Sequence, residues 1–331
     1  MRDSLDRRSF MRLAGASIGV GALFQVAPLL GDSARGRGLA ALLGRANGEA
    51  PKPFSFVQLS DTHVGFSGPP DPLGTQAFER AVEVINGLTE RPELVLVTGD
   101  LTHDSEKPGE HADRMRKFQE IAGRLRVPLV RCVPGEHDAG LDGGALFRDV
   151  LGETHYSFDH RGVHFVALDN VSLAKPNVGA EQIAWLKRDL ARFTPTTPIV
   201  VFTHRPLFDL RPDWEWFTGD GDEVMSILAP YENVTVLYGH IHREHHHSEG
   251  HVGHHAARSL IFAFPDPETS AQKAPIPFDP AKPFQNLGVR VVHESGARVA
   301  APPGIDEVEL TLREYAGTVG IQQILKKGES L

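Results

Sequence analysis

The stretch "FSFVQLSDTH", Phe54 to His63, sets an apolar, aromatic-rich run against an Asp and a His two positions apart. The run predicts a β-strand over 54–60, because four to eight such residues bounded by polar ones fit a buried strand. Asp61 and His63 would then share a face, since strand side chains alternate with period two. Taken alone, half-exposed Asp and His at a strand end are ordinary surface residues.

Downstream the same arrangement recurs. "ELVLVTGD" predicts a strand that ends in Gly99, Asp100, His103 and Asp104, and "VPLVRCVPGEHD" one that ends in Gly135, Glu136, His137 and Asp138. "PIVVFTH" ends in His204 and "VTVLYGHIH" in His240 and His242. Between them lie segments of helical periodicity, "TQAFERAVEVINGL", "HADRMRKFQEIAGRL", "AEQIAWLKRDLARF" and "DEVMSILAPY", and "THYSFDHRGVHFVALDN" predicts a hairpin turning at 160–162. Strands alternating with helices define an α/β domain. The carboxyl ends of strands in such a sheet share one edge, where ligands gather. Five strand ends therefore aim Asp, Glu and His at one place. Oxygen and nitrogen donors without Cys suit two ions of the Mn, Fe or Zn type.

In that order the blocks resemble the calcineurin-like metallophosphoesterase family, whose pattern is D-x-H, G-D-x-x, G-N-H-D/E, H and G-H-x-H. The resemblance spans Asp61 to His242 and implies a four-layer αββα sandwich of two mixed β-sheets flanked by helices. It implies that Asp61, His63 and His242 hold one metal and His204 and His240 the other, with Asp100 bridging. His137 takes the place of the family's histidine near the leaving group. Two ions would clamp a phosphoryl oxygen and supply a bridging hydroxide for in-line attack, while His137 acts as general acid, with Asp138 orienting it. Arg205 is a candidate for steadying a phosphate oxygen, and His103 and Asp104 are candidate partners behind the ligands.

One residue departs from the pattern: Glu136 stands where the family has Asn. A carboxylate replaces a neutral carbonyl oxygen, so three negative charges would face the metals instead of two. The expectation is a bias toward a trivalent ion or toward singly charged diesters, unless Glu136 turns away. "GDLTHD" and "GEHD" also lack the Arg and Asn of the family's protein phosphatases, which argues against a phosphoprotein substrate. Small phosphodiesters or phosphomonoesters remain. The rival reading is a non-catalytic metal-binding or metal-sensing envelope protein on the same fold.

Composition sets the outer limits. The chain has 331 residues and a formal net charge of −9. Its first fifty residues hold seven Arg and four acids, so the remainder carries about −12, which disfavours a nucleic-acid partner. Cys132 is the only cysteine, which excludes an internal disulfide and reads as core filler. Residues 1–50 resemble a twin-arginine export signal and flexible linker: "DRRSFMR", with Arg7 and Arg8 paired, precedes a Gly- and Ala-rich apolar stretch. The resemblance implies the twin-arginine export machinery as partner, a periplasmic or secreted protein, and no permanent membrane span in the mature chain. Residues 51–331 would form the catalytic domain, with strands in 253–331, "RSLIFAFP" among them, completing the second sheet. Eight of the seventeen histidines lie in 239–255. Those at 245–255 read as a polar loop or, more sharply, a metal-capturing lip. Trp214, Trp216 and Phe217 form a candidate apolar rim.

Overall fold

The computed structural model describes residues 54–294 apart from 108, and the backbone of 305–311. The expectations for 1–50 lie outside the described residues. The elements are β1 (Phe54–Leu59), α1 (Gln76–Asn86), β2 (Leu94–Thr98), α2 (Glu110–Ala122), β3 (Leu129–Val133), α3 (Glu136–Ala139), α4 (Ala145–Leu151), β4 (Tyr156–His160) and β5 (Val163–Ala167). They continue with α5 (Ala180–Leu190), β6 (Ile199–Phe202), α6 (Gly221–Leu228), β7 (Val234–Tyr238), β8 (His245–Glu249), β9 (Val252–Ala256), β10 (Gly288–Glu294) and β11 (Ile305–Thr311).

Two mixed sheets result, ordered β11-β10-β1-β2-β3 and β4-β5-β6-β7-β9-β8. The strands β1, β2 and β3 run parallel, as do β5, β6, β7 and β9, while β10, β11, β4 and β8 pair antiparallel at the flanks. Period-two alternation divides each strand between two cores. Phe54, Phe56, Leu96 and Val133 face Phe165, Val200, Phe202 and Leu237 in the layer between the sheets. Val57, Leu59, Val95 and Val97 face outward onto Phe78, Val82 and Ile85 of α1 and Met115 and Phe118 of α2. Val166, Val201 and Val236 face outward onto Ile183 and Leu186 of α5 and Val224 and Leu228 of α6. The four-layer αββα expectation matches this architecture. Among the described residues no helix is long and apolar enough to cross a membrane.

Three expectations change. The tail does not complete the second sheet: β10 pairs with β1, and β11 extends that first sheet, because Val289, Val291 and Val292 find apolar neighbours on both faces of β1's edge. Among the described residues beyond the β8–β9 turn, only β9 joins the other sheet. "RSLIFAFP" is not a strand; it runs irregularly, with the Leu260 N–H donating to Ser60 O and Phe262 O meeting His242 Nδ1. Finally, Trp214 and Trp216 are no rim. Both are buried with Tyr238, Ile241 and Ala256, and only Phe217 is half-buried.

Trp216 is fully buried, so Trp216→Ala is expected to lower unfolding stability by about 3–5 kcal/mol. Denaturant titration checks this; unchanged stability would restore the rim.

Candidate metal centre

β1 stops at Leu59 and β7 at Tyr238, so Asp61, His63, His240 and His242 do not lie on strands. Each of these four, and Asp100, adopts a left-handed backbone, with φ of 53°, 39°, 66°, 51° and 50° respectively. Left-handed residues alternating with ordinary ones replace strand pleating as the device that turns each pair to one side. Such conformations cost a non-glycine residue about 1–3 kcal/mol and concentrate at functional sites. Gly99, at φ +92°, and Gly135 make the approach possible. A Cβ on Gly99 would lie 2.3 Å from His204 Nδ1, and one on Gly135 would lie 2.1 Å from Asp100 Oδ1.

All seven expected ligands come together, in two groups that share one residue. Asp61, His63, Asp100 and His242 form the first, and Asp100, Glu136, His204 and His240 the second; within each group the donor atoms lie within 4.8 Å of one another. Asp100 Oδ1 accepts the His137 backbone N–H at 3.0 Å, which leaves Oδ2 between the groups, 3.2 Å from His63 Nε2 and 3.5 Å from His204 Nε2.

Backbone carbonyls set the tautomers. His204 Nδ1 donates to Thr98 O at 2.7 Å, His242 Nδ1 to Phe262 O at 2.9 Å and His240 Nε2 to Glu215 O at 3.1 Å. Each imidazole thus turns its other nitrogen, as a lone pair, inward. Glu136 does not turn away: Oε1 lies 2.8 Å from His240 Nδ1 and Oε2 lies 2.8 Å from His204 Nε2. Both His204 Nε2 and Glu136 Oε2 are buried without a hydrogen-bond partner. Two enclosed acceptor atoms at that distance call for a cation between them, a proton or a metal ion, and the oxygen–nitrogen donor set fits Mn, Fe or Zn.

The electrostatics agree. Burial alone would raise the Asp100 carboxyl, but the imidazoles of His204, His137 and His63 hold it well below its usual range. Burial and the Asp100 charge likewise oppose ionisation of Glu136, and His240 and His204 overcome them. Burial opposes the charge of His204, but the Asp100 and Glu136 carboxylates outweigh it and raise its pKa well above the ordinary value, so that without a metal ion a proton takes the cation's place between Nε2 and Glu136 Oε2.

The leaving-group side needs one correction. Asp138 does not orient His137. It is fully buried and accepts the backbone N–H of Leu101, Thr102 and Gly135, each at 2.9 Å, tying the loop after β2 to the loop after β3. Burial pushes its carboxyl up to about 6. The carboxylate on His137 is Asp104, whose Oδ1 lies 2.5 Å from Nδ1. His103 stacks on His137 with ring centroids 4.6 Å apart and lies 3.4 Å from His63 Nδ1 through its own Nδ1. Arg205 is nearly buried and already engaged: Nη1 donates to Glu215 O at 2.7 Å and Nη2 lies 3.6 Å from Glu136 Oε1.

Five of the remaining histidines lie on β8 and β9, and His251 lies in the turn between them. His245, His247 and His254 line one face around Phe208, whose ring stacks on His247 at 4.1 Å and meets His254 at 5.2 Å. His246 and His255 pair on the opposite face. None of the six belongs to a group of three metal-donor residues among the described residues. Cys132 is half-buried, and burial pushes its thiol up to about 12, against thiol chemistry. Sequence reasoning missed the three tautomer-setting carbonyls, which have no sequence signature, and the ring wall of Phe66 and Phe262 beside His63, His103 and His242.

Comparison with known proteins agrees with this geometry. Residues 54–244 match the calcineurin-like phosphoesterase family. A 3′,5′-cyclic-nucleotide phosphodiesterase of a Nostoc species is 24% identical over 226 residues, 66% of this chain and 82% of its own. The serine/threonine-protein phosphatase CPPED1 of Mus musculus is 31% identical over 238 residues, 63% of this chain and 76% of its own. Among solved structures, a dimetal phosphatase from Danio rerio superposes with a TM-score of 0.51 at 15% identity, covering 78% of this chain and 99% of that one, a likeness of fold. With a match over more than half its length, and the five blocks gathered at one site, the chain belongs to the calcineurin-like phosphoesterase family.

Proposed function

We propose that this metallophosphoesterase hydrolyses small phosphodiesters or phosphomonoesters at a two-metal site, in a protein exported to the periplasm or beyond. The observation that carries the metal site is the pair of orphaned acceptors, His204 Nε2 and Glu136 Oε2, at the heart of two ligand groups joined by Asp100. Asp61, His63 and His242 would hold one ion and Glu136, His204 and His240 the other, with Asp100 Oδ2 between them. Ions so bound polarise a phosphoryl oxygen and lower the pKa of water.

The chain's own residues supply the rest. His137, beside the first group with its ring 4.9 Å from that of His63, is placed to protonate the departing alkoxide. Burial works to discharge it, but the carboxylates of Asp100, Glu136 and Asp104 outweigh burial and raise its pKa above the ordinary histidine value. That raised pKa favours the protonated form which a general acid needs. The wall of Phe66 and Phe262 offers apolar surface to a leaving group next to that proton donor. The two relatives, named for a cyclic-nucleotide diesterase and for a protein phosphatase, bracket diesters and monoesters. The second name also reopens the phosphoprotein class that the missing Arg and Asn had argued against.

Hydrolysis of bis-p-nitrophenyl phosphate, p-nitrophenyl phosphate, cyclic AMP and a phosphoserine peptide tests the reading. Turnover of none of them by metal-loaded protein would sink it. His137→Ala is expected to lower kcat roughly 10²–10⁴-fold with metal content unchanged; full activity would remove the acid assignment. The acid works protonated, so the rate falls as pH rises through the raised His137 pKa. Asp104→Asn removes one of the raising charges and is expected to move that alkaline limb to lower pH; a limb that stays in place would detach Asp104 from His137.

Export is supported by Arg7 and Arg8 in "DRRSFMR". Replacing both by Lys is expected to hold the protein in the cytoplasm, checked by fractionation and immunoblot; unimpeded export would point to another route.

A further inference from the structure

Glu136 adds a negative charge where the family has a neutral residue, which argued for singly charged diesters as substrates. The structure places two cations on that same side of the site. Arg205 is the first, but its guanidinium is held by Glu136 and by the Glu215 carbonyl. Lys273 is the second. It belongs to the irregular segment between β9 and β10, far from every motif in the sequence. Its Nζ donates to Trp214 O at 3.0 Å and sits 5.5 Å from the Phe264 ring centroid. The next carbonyl along the chain, Glu215 O, is the one that meets His240 Nε2 and Arg205 Nη1. Glu215 holds a left-handed backbone, φ 61°, which aims successive carbonyls at the ligand side chain and at the lysine. Lys273 is exposed as a residue, while partial burial of its ammonium lowers its pKa, with Arg205 acting the same way and the Glu136, Glu215 and Asp100 carboxylates acting against them. An ammonium carries three donors. Trp214 O takes one, leaving two for a ligand.

We infer that Lys273 binds the terminal oxygens of a substrate phosphate on the Glu136 side of the site, opposite His137, and thereby admits dianionic monoesters despite the extra carboxylate. The inference rests on the reading of this site as a phosphoesterase centre. Its logic is charge balance. Arg205 offsets Glu136, and Lys273 returns the positive charge that a dianion needs and a monoanionic diester needs less. The acid and the lysine then grip opposite ends of the phosphoryl group. A lysine suits this place because its single point charge on a flexible stem can follow the oxygens, whereas the Arg205 fork is fixed by its two partners.

The test compares wild type, Lys273→Gln and Lys273→Arg, all metal-loaded. Two readouts are needed: kcat/KM for p-nitrophenyl phosphate and for bis-p-nitrophenyl phosphate, and the Kd of inorganic phosphate by calorimetry. Lys273→Gln is expected to weaken phosphate binding roughly ten- to a hundredfold, the loss of one charge-assisted hydrogen bond. It should lower monoester kcat/KM about tenfold more than diester kcat/KM, mainly through KM, and Lys273→Arg should recover most of the loss. Equal losses on the two esters, or unchanged phosphate affinity, would overturn the assignment. If wild type hydrolyses neither ester, the phosphoesterase reading fails. The phosphate titration still decides Lys273, because affinity that drops in Lys273→Gln upholds it, and affinity that is absent or unchanged overturns it.

Discussion

Everything at the strand ends serves one electrostatic constraint: Asp61, Asp100 and Glu136 direct carboxylate oxygens into a space that ring nitrogens of His63, His204, His240 and His242 also face. Enclosed acceptors without donors are among the costliest arrangements a fold can hold. Five left-handed residues, at about 1–3 kcal/mol each, add strain that approaches the 5–15 kcal/mol stability of a whole domain. Structural metal ions contribute on the order of 10 kcal/mol, so cations in the two groups are the natural counterweight. The carbonyls of Thr98, Phe262 and Glu215, the missing Cβ atoms of Gly99 and Gly135, and the clasp of Asp138 between two loops all keep those groups aimed inward.

The two ends of the site differ in chemistry. Beside His63 lie His137, the Asp104 carboxylate on its Nδ1, the stacked His103 and an aromatic wall. Beside His204 and His240 lie Glu136, Arg205 and the turn at 214–215. A phosphoryl group held between them would meet a proton on one side and positive charge on the other. That polarity follows from strand order. The first sheet contributes the loops after β1, β2 and β3, and the second those after β6 and β7, so the centre forms where their carboxyl ends meet.

Much of this was legible in the sequence, and the failures have a common cause. Apolar runs and helical periodicity gave β1, β2, β3, β5, β6 and β7 and four helices, because each buries a regular face, whereas β9 lay hidden in the histidine-rich stretch. The ligand residues were found from residue type and order, yet the argument that put Asp61 and His63 on one strand face was wrong. β1 ends before them, and left-handed turns do the aiming. Asp138 was taken for the partner of His137 because it is adjacent in sequence, and the structure gives that place to Asp104, thirty-three positions upstream. Trp214 and Trp216, a candidate rim because they follow the His204 block, fold inward onto Tyr238 and Ile241. The tail's strands were recognisable, but their sheet was not, since pairing partners of antiparallel edge strands leave no local trace. Lys273 likewise meets the Trp214 carbonyl by tertiary folding alone.

The most direct test of the account is elemental analysis of the purified chain beside its Asp100→Ala variant. Two transition-metal ions per wild-type chain, falling to one or none when the shared carboxylate is removed, are the predicted result. A folded wild-type chain that holds no more than one ion under metal excess would contradict the two-metal centre.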